Sequence, residues 1–163
     1  MKYRLAAKEE LDTIWDYNIL QNNGDKRWVY WKKEYIEYNL TKKALTFLAL
    51  DNDVPVGEGT LILSPECKAV AGRLSLCDGK TIANVNALRI RKDYEGKGYI
   101  SRLMKKIEAY ADSRNIVALT IGVDAKETRN LAIYLHWGFT EFLFSEQEDG
   151  ELVLYFLKKL RKD

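Results

Sequence analysis

The residues best placed to do chemistry are Gly96-Lys97-Gly98, set between two periodic segments. Upstream, Val85 to Ile90 alternates apolar and polar positions, the period of a half-buried strand. Downstream, Ile100, Leu103, Met104, Ile107, Tyr110 and Ala111 recur at spacings of three and four, one face of a helix. Strand, glycine turn and helix in that order make an anion site. The first N–H groups of a helix lack intrahelical partners and carry the positive end of its dipole. Glycines just before them have no Cβ to keep a ligand off the backbone. Phosphate or pyrophosphate is the anion such a turn suits best.

Two phosphate-binding patterns fit this stretch poorly. A P-loop needs Ser or Thr after Gly-Lys, and here Gly98 follows. Gly96-x-Gly98-x-x-Ser101 approximates the dinucleotide fingerprint, with Asp124 ending a later strand where a ribose ligand belongs. That fingerprint wants its strand to run directly into the first glycine, whereas Arg91 to Glu95 intervene. A third pattern matches in two places. Leu88-x-Ile90-x-x-x-Tyr94-x-Gly96-Lys97-Gly98-Tyr99-Ile100-Ser101-x-Leu103 resembles the acetyl-coenzyme A signature of the GNAT superfamily of N-acetyltransferases. Glu95 stands where that signature has Arg or Gln, and Ile100 where it has Gly or Ala. Leu119-x-Ile121-x-Val123, then Ala132 to Phe139, resembles the family's next strand and its helix ending in Tyr-x-x-x-Gly-Phe, with Glu127 at a usual Asn. The two matches span residues 85 to 139 in the family's order.

The resemblance implies an α/β fold: one GNAT-like domain over 1–163, its mixed central sheet of about seven strands flanked by about four helices and splayed between the fourth and fifth strands. It implies acetyl-coenzyme A as acyl donor and an amine, on a small molecule or a peptide, as acceptor, with direct attack in a ternary complex. The backbone amides of Gly96, Lys97, Gly98, Tyr99, Ile100 and Ser101 would hold the pyrophosphate, with added charge from Lys97 and Arg102. The backbone at Leu88 and Ile90 would pair with the pantetheine arm as an added strand, leaving both side chains to the core. Tyr134 aligns with the tyrosine that protonates the departing thiolate. A phenol with a pKa near 10 suits a thiolate whose conjugate acid lies near 8.5, because the proton moves as charge develops on sulfur. As a plain core aromatic, Tyr134 would have no such part.

The general base is unassigned. The family often places a carboxylate on the strand before the glycine turn, where this chain has Asn84 and Asn86; Glu58, Asp124 and Glu127 are substitutes. His136, the only histidine, lies two residues past Tyr134, about 200° around a helix, and so faces away from it. Two other function classes stay open: a non-catalytic acyl-coenzyme A binding module, and a nucleotide-dependent oxidoreductase.

Composition narrows the remainder. A net charge of +2 argues against a dedicated nucleic-acid binder. No apolar run reaches the length of a membrane span, and the N-terminus does not read as a signal peptide, so a cytoplasmic protein is expected. Cys67 and Cys77 lack the neighbours of a metal site, and no metal is expected. A homodimer is compatible with all of this.

Around the central stretch, strands are expected at 2–6, 45–50, 57–63, 116–123, 139–145 and 151–160, and helices at 8–21, 26–40 and 128–137. The helix at 26–40 is rich in aromatics (Trp28, Tyr30, Trp31, Tyr35, Tyr38). With Asp12, Asp16, Glu34 and Glu37 these rings would suit a cationic amine, although core packing accounts for most of them. Residues 64–80 read as an insertion in which 69–76 forms a short strand or a loop, with a part in specificity or none.

Overall fold

The computed structural model describes residues 1–161; the last two positions of the domain expected over 1–163 lie outside the described residues. In chain order the elements are β1 (Lys2–Leu5), α1 (Lys8–Gln21), α2 (Lys26–Leu40), β2 (Ala44–Asp51), β3 (Val54–Ile62), β4 (Ile82–Ile90), α3 (Tyr99–Ser113), β5 (Ala118–Asp124), α4 (Thr128–His136), β6 (Glu141–Glu148) and β7 (Glu151–Lys159). The strands form one seven-stranded sheet in the order β1-β2-β3-β4-β5-β7-β6. Every described pairing is antiparallel except β4 with β5.

Local chemistry sets the helix boundaries. Asp25 accepts the Arg27 N–H at 2.9 Å at the start of α2, and the Glu10 carboxylate accepts the Ala7 N–H at 2.9 Å at the start of α1. The apolar stripe of α3, Leu103, Met104, Ile107 and Ala111, is buried on one face of the sheet with Val85, Ile121, Val123 and Phe139. On the other face Ile14 and Trp15 of α1 and Tyr35 and Tyr38 of α2 pack with Leu48, Leu50 and Ile62.

The join between β4 and β5 is the feature that positions the site. Their parallel pairing runs from Ile82↔Ala118 to Val85↔Ile121. Beyond Val85, β4 stays hydrogen-bonded to β3 and parts from β5. A bulge sits at that point. The β3–β4 register passes from Thr60↔Asn86 to Glu58↔Arg89, so Ala87 and Leu88 oppose the single residue Gly59. Ala87 takes φ 51°, and the Asn86 side chain accepts the Ala87 N–H at 2.9 Å. A Cβ on Gly59 would lie 2.8 Å from both Leu88 Cδ1 and Ile107 Cδ1, so glycine lets the bulge and α3 close on the sheet without shifting either side chain.

The expected sheet and helices are present, with shifted limits. β1 ends at Leu5 and α4 at His136, one residue early in each case, and β2 extends to Ala44–Asp51. β3 begins at Val54 rather than Gly57, because the turn is only Asn52-Asp53, both at positive φ as a tight hairpin requires. Pro55, which reads as a breaker, sits at a register irregularity ahead of the first β4 partner, where a missing N–H costs little. β4 begins earlier than the alternation at Val85 suggested, because Ile82–Asn84 pair with β5. β5 runs Ala118–Asp124 rather than 116–123, and β6 runs Glu141–Glu148 rather than 139–145, since Phe139 is a buried core residue before the strand.

Residues 69–76 form no strand. Lys68–Val70 is a single 3-10 turn followed by hydrogen-bonded turns, and Cys67, Val70, Leu76 and Cys77 are buried under α2 and the sheet. Thr120 of β5 donates its hydroxyl to the Leu76 carbonyl at 2.7 Å, which ties the segment to the β4–β5 join.

Burial of phenols gives the fold an alkaline limit. Desolvation pushes Tyr35, Tyr38, Tyr134 and Tyr155 above the ordinary phenol value, with Tyr38 and Tyr134 reaching about 12. A raised folded-state pKa means that the folded chain holds the proton more tightly than the unfolded one, whose phenols ionise near 10. Their contribution is therefore complete below about pH 10 and falls as pH rises through about 12. Urea melts should show a midpoint that drops between pH 9.5 and 11.5, and tyrosinate absorbance of the folded protein at pH 11 should account for fewer than the ten tyrosines. Full ionisation of all ten in still-folded protein would contradict this.

Candidate active site

The glycine turn leads from β4 into α3. Gly96 and Gly98 take φ 74° and 82°, left-handed values at which any side chain is strained, and Gly98 is the residue on which α3 starts. A Cβ on Gly96 would meet nothing within 4 Å, and one on Gly98 only the Arg102 guanidinium at 3.9 Å. The space beside the turn is open. It belongs to a cleft of about 390 Å³ that runs from Leu88, Arg89 and Ile90 past Gly96, Gly98, Tyr99 and Ile100 to Glu127, Arg129, Asn130 and Ile133. The β4 edge beyond Val85, released from β5, lies along this cleft with its backbone groups unpaired on that side.

The residues singled out from sequence fall in two groups. Leu88, Ile90, Gly96, Gly98, Tyr99, Ile100 and Tyr134 all line this cleft. Lys97 and Arg102 are exposed and do not line it: Lys97 Nζ lies 6.0 Å from the Tyr94 ring centre and the Arg102 guanidinium 5.8 Å from that of Tyr99. Ser101 faces a separate depression with Met104, Glu108, His136 and Lys158. His136 is therefore on the far side of α4 from the cleft. Glu95, the departure from the usual Arg or Gln, is exposed at the cleft rim.

A second cleft, of about 400 Å³, opens on the α1–α2 side of the β4–β5 join. Trp15, Trp28, Trp31 and Tyr35 form one wall; Ala87, Ile121, Gly122 and Asp124 from the parted strands, with Tyr155 and Glu148, form the other. Gly122 is required by close approach, since a Cβ there would lie 2.7 Å from Tyr155 Cε1. Ala69, from the 64–80 segment, completes the lining.

The two clefts share Leu88, Arg89 and Tyr134. Tyr134 packs against Trp137 and Phe139 at ring-centre distances of 5.8 and 6.5 Å. Burial, then the charge of Glu127, pushes its phenol up to about 12, so it is fully protonated at neutral pH. Arg89 lies over the rings of Trp15 and Trp28, at 4.9 and 4.7 Å, and donates to Glu58 at 3.1 Å.

Several candidates for a base are already engaged. Glu58 is 1% exposed and bound by Arg89 and, at 2.7 Å, by the Asn18 amide. Asn84 bonds across to the Thr120 hydroxyl at 3.0 Å, and Asn86 donates to Asn84 while holding the bulge, so both amides serve the β4–β5 join. Glu127 is exposed at the start of α4, on the glycine-turn cleft. Asp124 is half-buried in the aromatic cleft, with Oδ1 accepting the Lys126 N–H at 2.9 Å. Asp12 and Asp16 pair with Lys32, Glu34 pairs with Lys68 and Glu37 is exposed; none of the four lines the aromatic cleft. Cys67 and Cys77 line neither cleft, and burial pushes the Cys67 thiol up to about 11, far from a nucleophile's range.

Solved structures with the same architecture include aminoglycoside 6'-acetyltransferase type Ii, at 15% identity and a TM-score of 0.77, with 100% of this chain and 99% of that one covered. A spermidine N-acetyltransferase chimera from Vibrio cholerae and hSSAT aligns at 17% identity and a TM-score of 0.72 over 98% and 96%. An acetyltransferase from Salmonella typhimurium, solved with its cofactor acetyl-CoA, aligns at 13% identity and a TM-score of 0.71 over 100% and 95%. At these identities the likeness is one of fold. No curated protein matches the chain at a significant level. The family model of the GNAT acetyltransferases matches residues 10–139, taking in the bulged β4, the glycine turn, α3, β5 and α4. On that match, the chain belongs to the GNAT acetyltransferase family.

Proposed function

We propose that the chain transfers an acetyl group from acetyl-coenzyme A to an amine, by direct attack with both substrates bound. The observation that carries the reading is the meeting of two clefts at Tyr134. One has the glycine turn and an unpaired strand edge, which fit a pyrophosphate and an amide-bearing arm; the other has aromatic walls and a carboxylate, which fit an amine.

Residues of this chain would act as follows. The first-turn amides of α3 bind the pyrophosphate, and the β4 backbone at Leu88 and Ile90 orients the arm toward the join. When bound, acetyl-coenzyme A supplies an activated acyl carbon and a thiolate leaving group. The amine, its ammonium proton lost to solvent, bonds to the acyl carbon. As the C–S bond breaks, Tyr134, protonated at neutral pH, gives its hydroxyl proton to the sulfur. The proton shed by the new amide nitrogen passes through water to restore the phenol. The walls of the two clefts keep bulk water from competing with the amine.

Acceptor-dependent release of free thiol from acetyl-coenzyme A, read across a panel of amines, tests this. Thiol release that requires an amine, with N-acetylated product, is expected. Tight acetyl-coenzyme A binding with no thiol release for any amine would favour the binding-module reading, in which Asn84 and Asn86 replace carboxylates; a preference for NAD over coenzyme A would favour the oxidoreductase.

A further inference from the structure

We infer that the acceptor is a primary amine with a single positive charge and a flat aromatic body, an arylalkylamine, whose ammonium is received by Asp124. The inference rests on the acetyltransferase reading above and narrows its acceptor.

Three charged side chains line that cleft: Arg89, Asp124 and Glu148. Arg89 is neutralised from behind by the buried Glu58 and is held flat over two indoles. Glu148 accepts from the Tyr155 hydroxyl and has the Arg73 guanidinium at 3.6 Å. Asp124 is different. The nearest cation in sequence, Lys126, gives it a backbone N–H but pairs its ammonium with Glu151 at 2.7 Å, and feels the Asp124 charge only as a weaker, more distant influence. Asp124 is thus the one lining charge with no ion pair within 4 Å among the described residues, on the β5 lip of the splay and in the same cleft as Tyr134. One ammonium fits there, in the cleft that Tyr134 also lines.

The rest of the lining selects the body. Arg89 already lies over one face of Trp15 and of Trp28, and its charge disfavours a second cation beside them. Trp31 and Tyr35, with Val85, Leu88 and Ile121, leave an apolar and aromatic slot, which a ring fills better than a charged chain. A polyamine would put its further charges near Arg89 or the Arg73–Glu148 pair, where no free carboxylate awaits them. An α-amino acid would set its carboxylate against a guanidinium whose charge the buried Glu58 already offsets and which lies flat over two indoles, so it gains less there than from a free cation.

The test is calorimetric binding of 2-phenylethylamine, phenylalanine and spermidine, to the protein alone and to protein saturated with coenzyme A. 2-Phenylethylamine should bind about tenfold or more tightly than either of the others. Asp124→Asn keeps the acceptor for the Lys126 N–H and should weaken 2-phenylethylamine by about tenfold to a hundredfold, the scale of a charged hydrogen bond; Trp31→Ala, whose folding is checked by its melting temperature, should weaken it as well. Tighter phenylalanine would mean that Arg89 receives a carboxylate, and tighter spermidine that the cleft collects several cations; either result overturns the inference, as does unchanged affinity in folded Asp124→Asn. Failure of coenzyme A to bind would instead strike the acetyltransferase reading, while amine binding to the protein alone still decides this one.

Discussion

Tyr134→Phe should lower kcat by about a hundredfold or more, the usual scale for loss of a general acid, with little change in coenzyme A affinity. The substitution removes one hydroxyl and keeps the ring that packs on Trp137 and Phe139, so the fold has no reason to respond. The interaction matters as charge builds on sulfur, which places the loss in kcat rather than in binding. The raised phenol pKa adds a check. The proton is retained up to about pH 12, so Tyr134 contributes no alkaline decline in the neutral to mildly basic range. Wild-type kcat in a folded Phe variant, under conditions where chemistry limits the rate, would return Tyr134 to the core it already contacts.

Gly98→Val should weaken coenzyme A binding by about a hundredfold or more. Two effects add. At φ 82° a β-branched residue is strained, at a cost of roughly 1–2 kcal/mol to the start of α3. The new side chain would also stand in open cleft space that a ligand needs to reach the first-turn amides. Losing about two charge-assisted hydrogen bonds, at roughly 1.5–3 kcal/mol each, accounts for the expected factor. Because a Cβ there meets no protein atom closer than 3.9 Å, the unliganded fold should survive. Unchanged affinity in the folded variant would mean that the phosphates lie elsewhere.

These two positions were readable in sequence because each is marked locally. Gly96 and Gly98 stand between a strand period and a helix period, and Tyr134 keeps its spacing to Gly138-Phe139. The bulge that releases β4 from β5 was not readable. Its left-handed residue is Ala87, which carries no turn signal, and the Asn86 side chain and Gly59 of a neighbouring strand hold it in place. The aromatic cleft was only partly readable. Periodicity placed the rings on α2 but could not divide Trp28, Trp31 and Tyr35, which line the cleft, from Tyr30 and Tyr38, which do not. Asp12, Asp16 and Glu34 looked available for an amine, yet lysines from other parts of the chain engage them. Asp124 stands out only once the side-chain directions of Lys126 and Glu151 are known. The 64–80 segment has buried residues without a period, because Cys67, Val70, Leu76 and Cys77 pack as an irregular loop under tertiary contacts.

The central claim is that acetyl-coenzyme A lies along the β4 edge with its pyrophosphate on the start of α3. Amide hydrogen exchange with and without saturating acetyl-coenzyme A tests it most directly, because the first amides of α3 have no helical partner and the β4 edge beyond Val85 has no partner on its β5 side. Exchange should slow at residues 96–101 and 88–90 and stay unchanged at β1 and β2 on the far side of the sheet. No protection at either stretch when melting shifts show the protein to be saturated, or no saturation at millimolar ligand, would contradict the account.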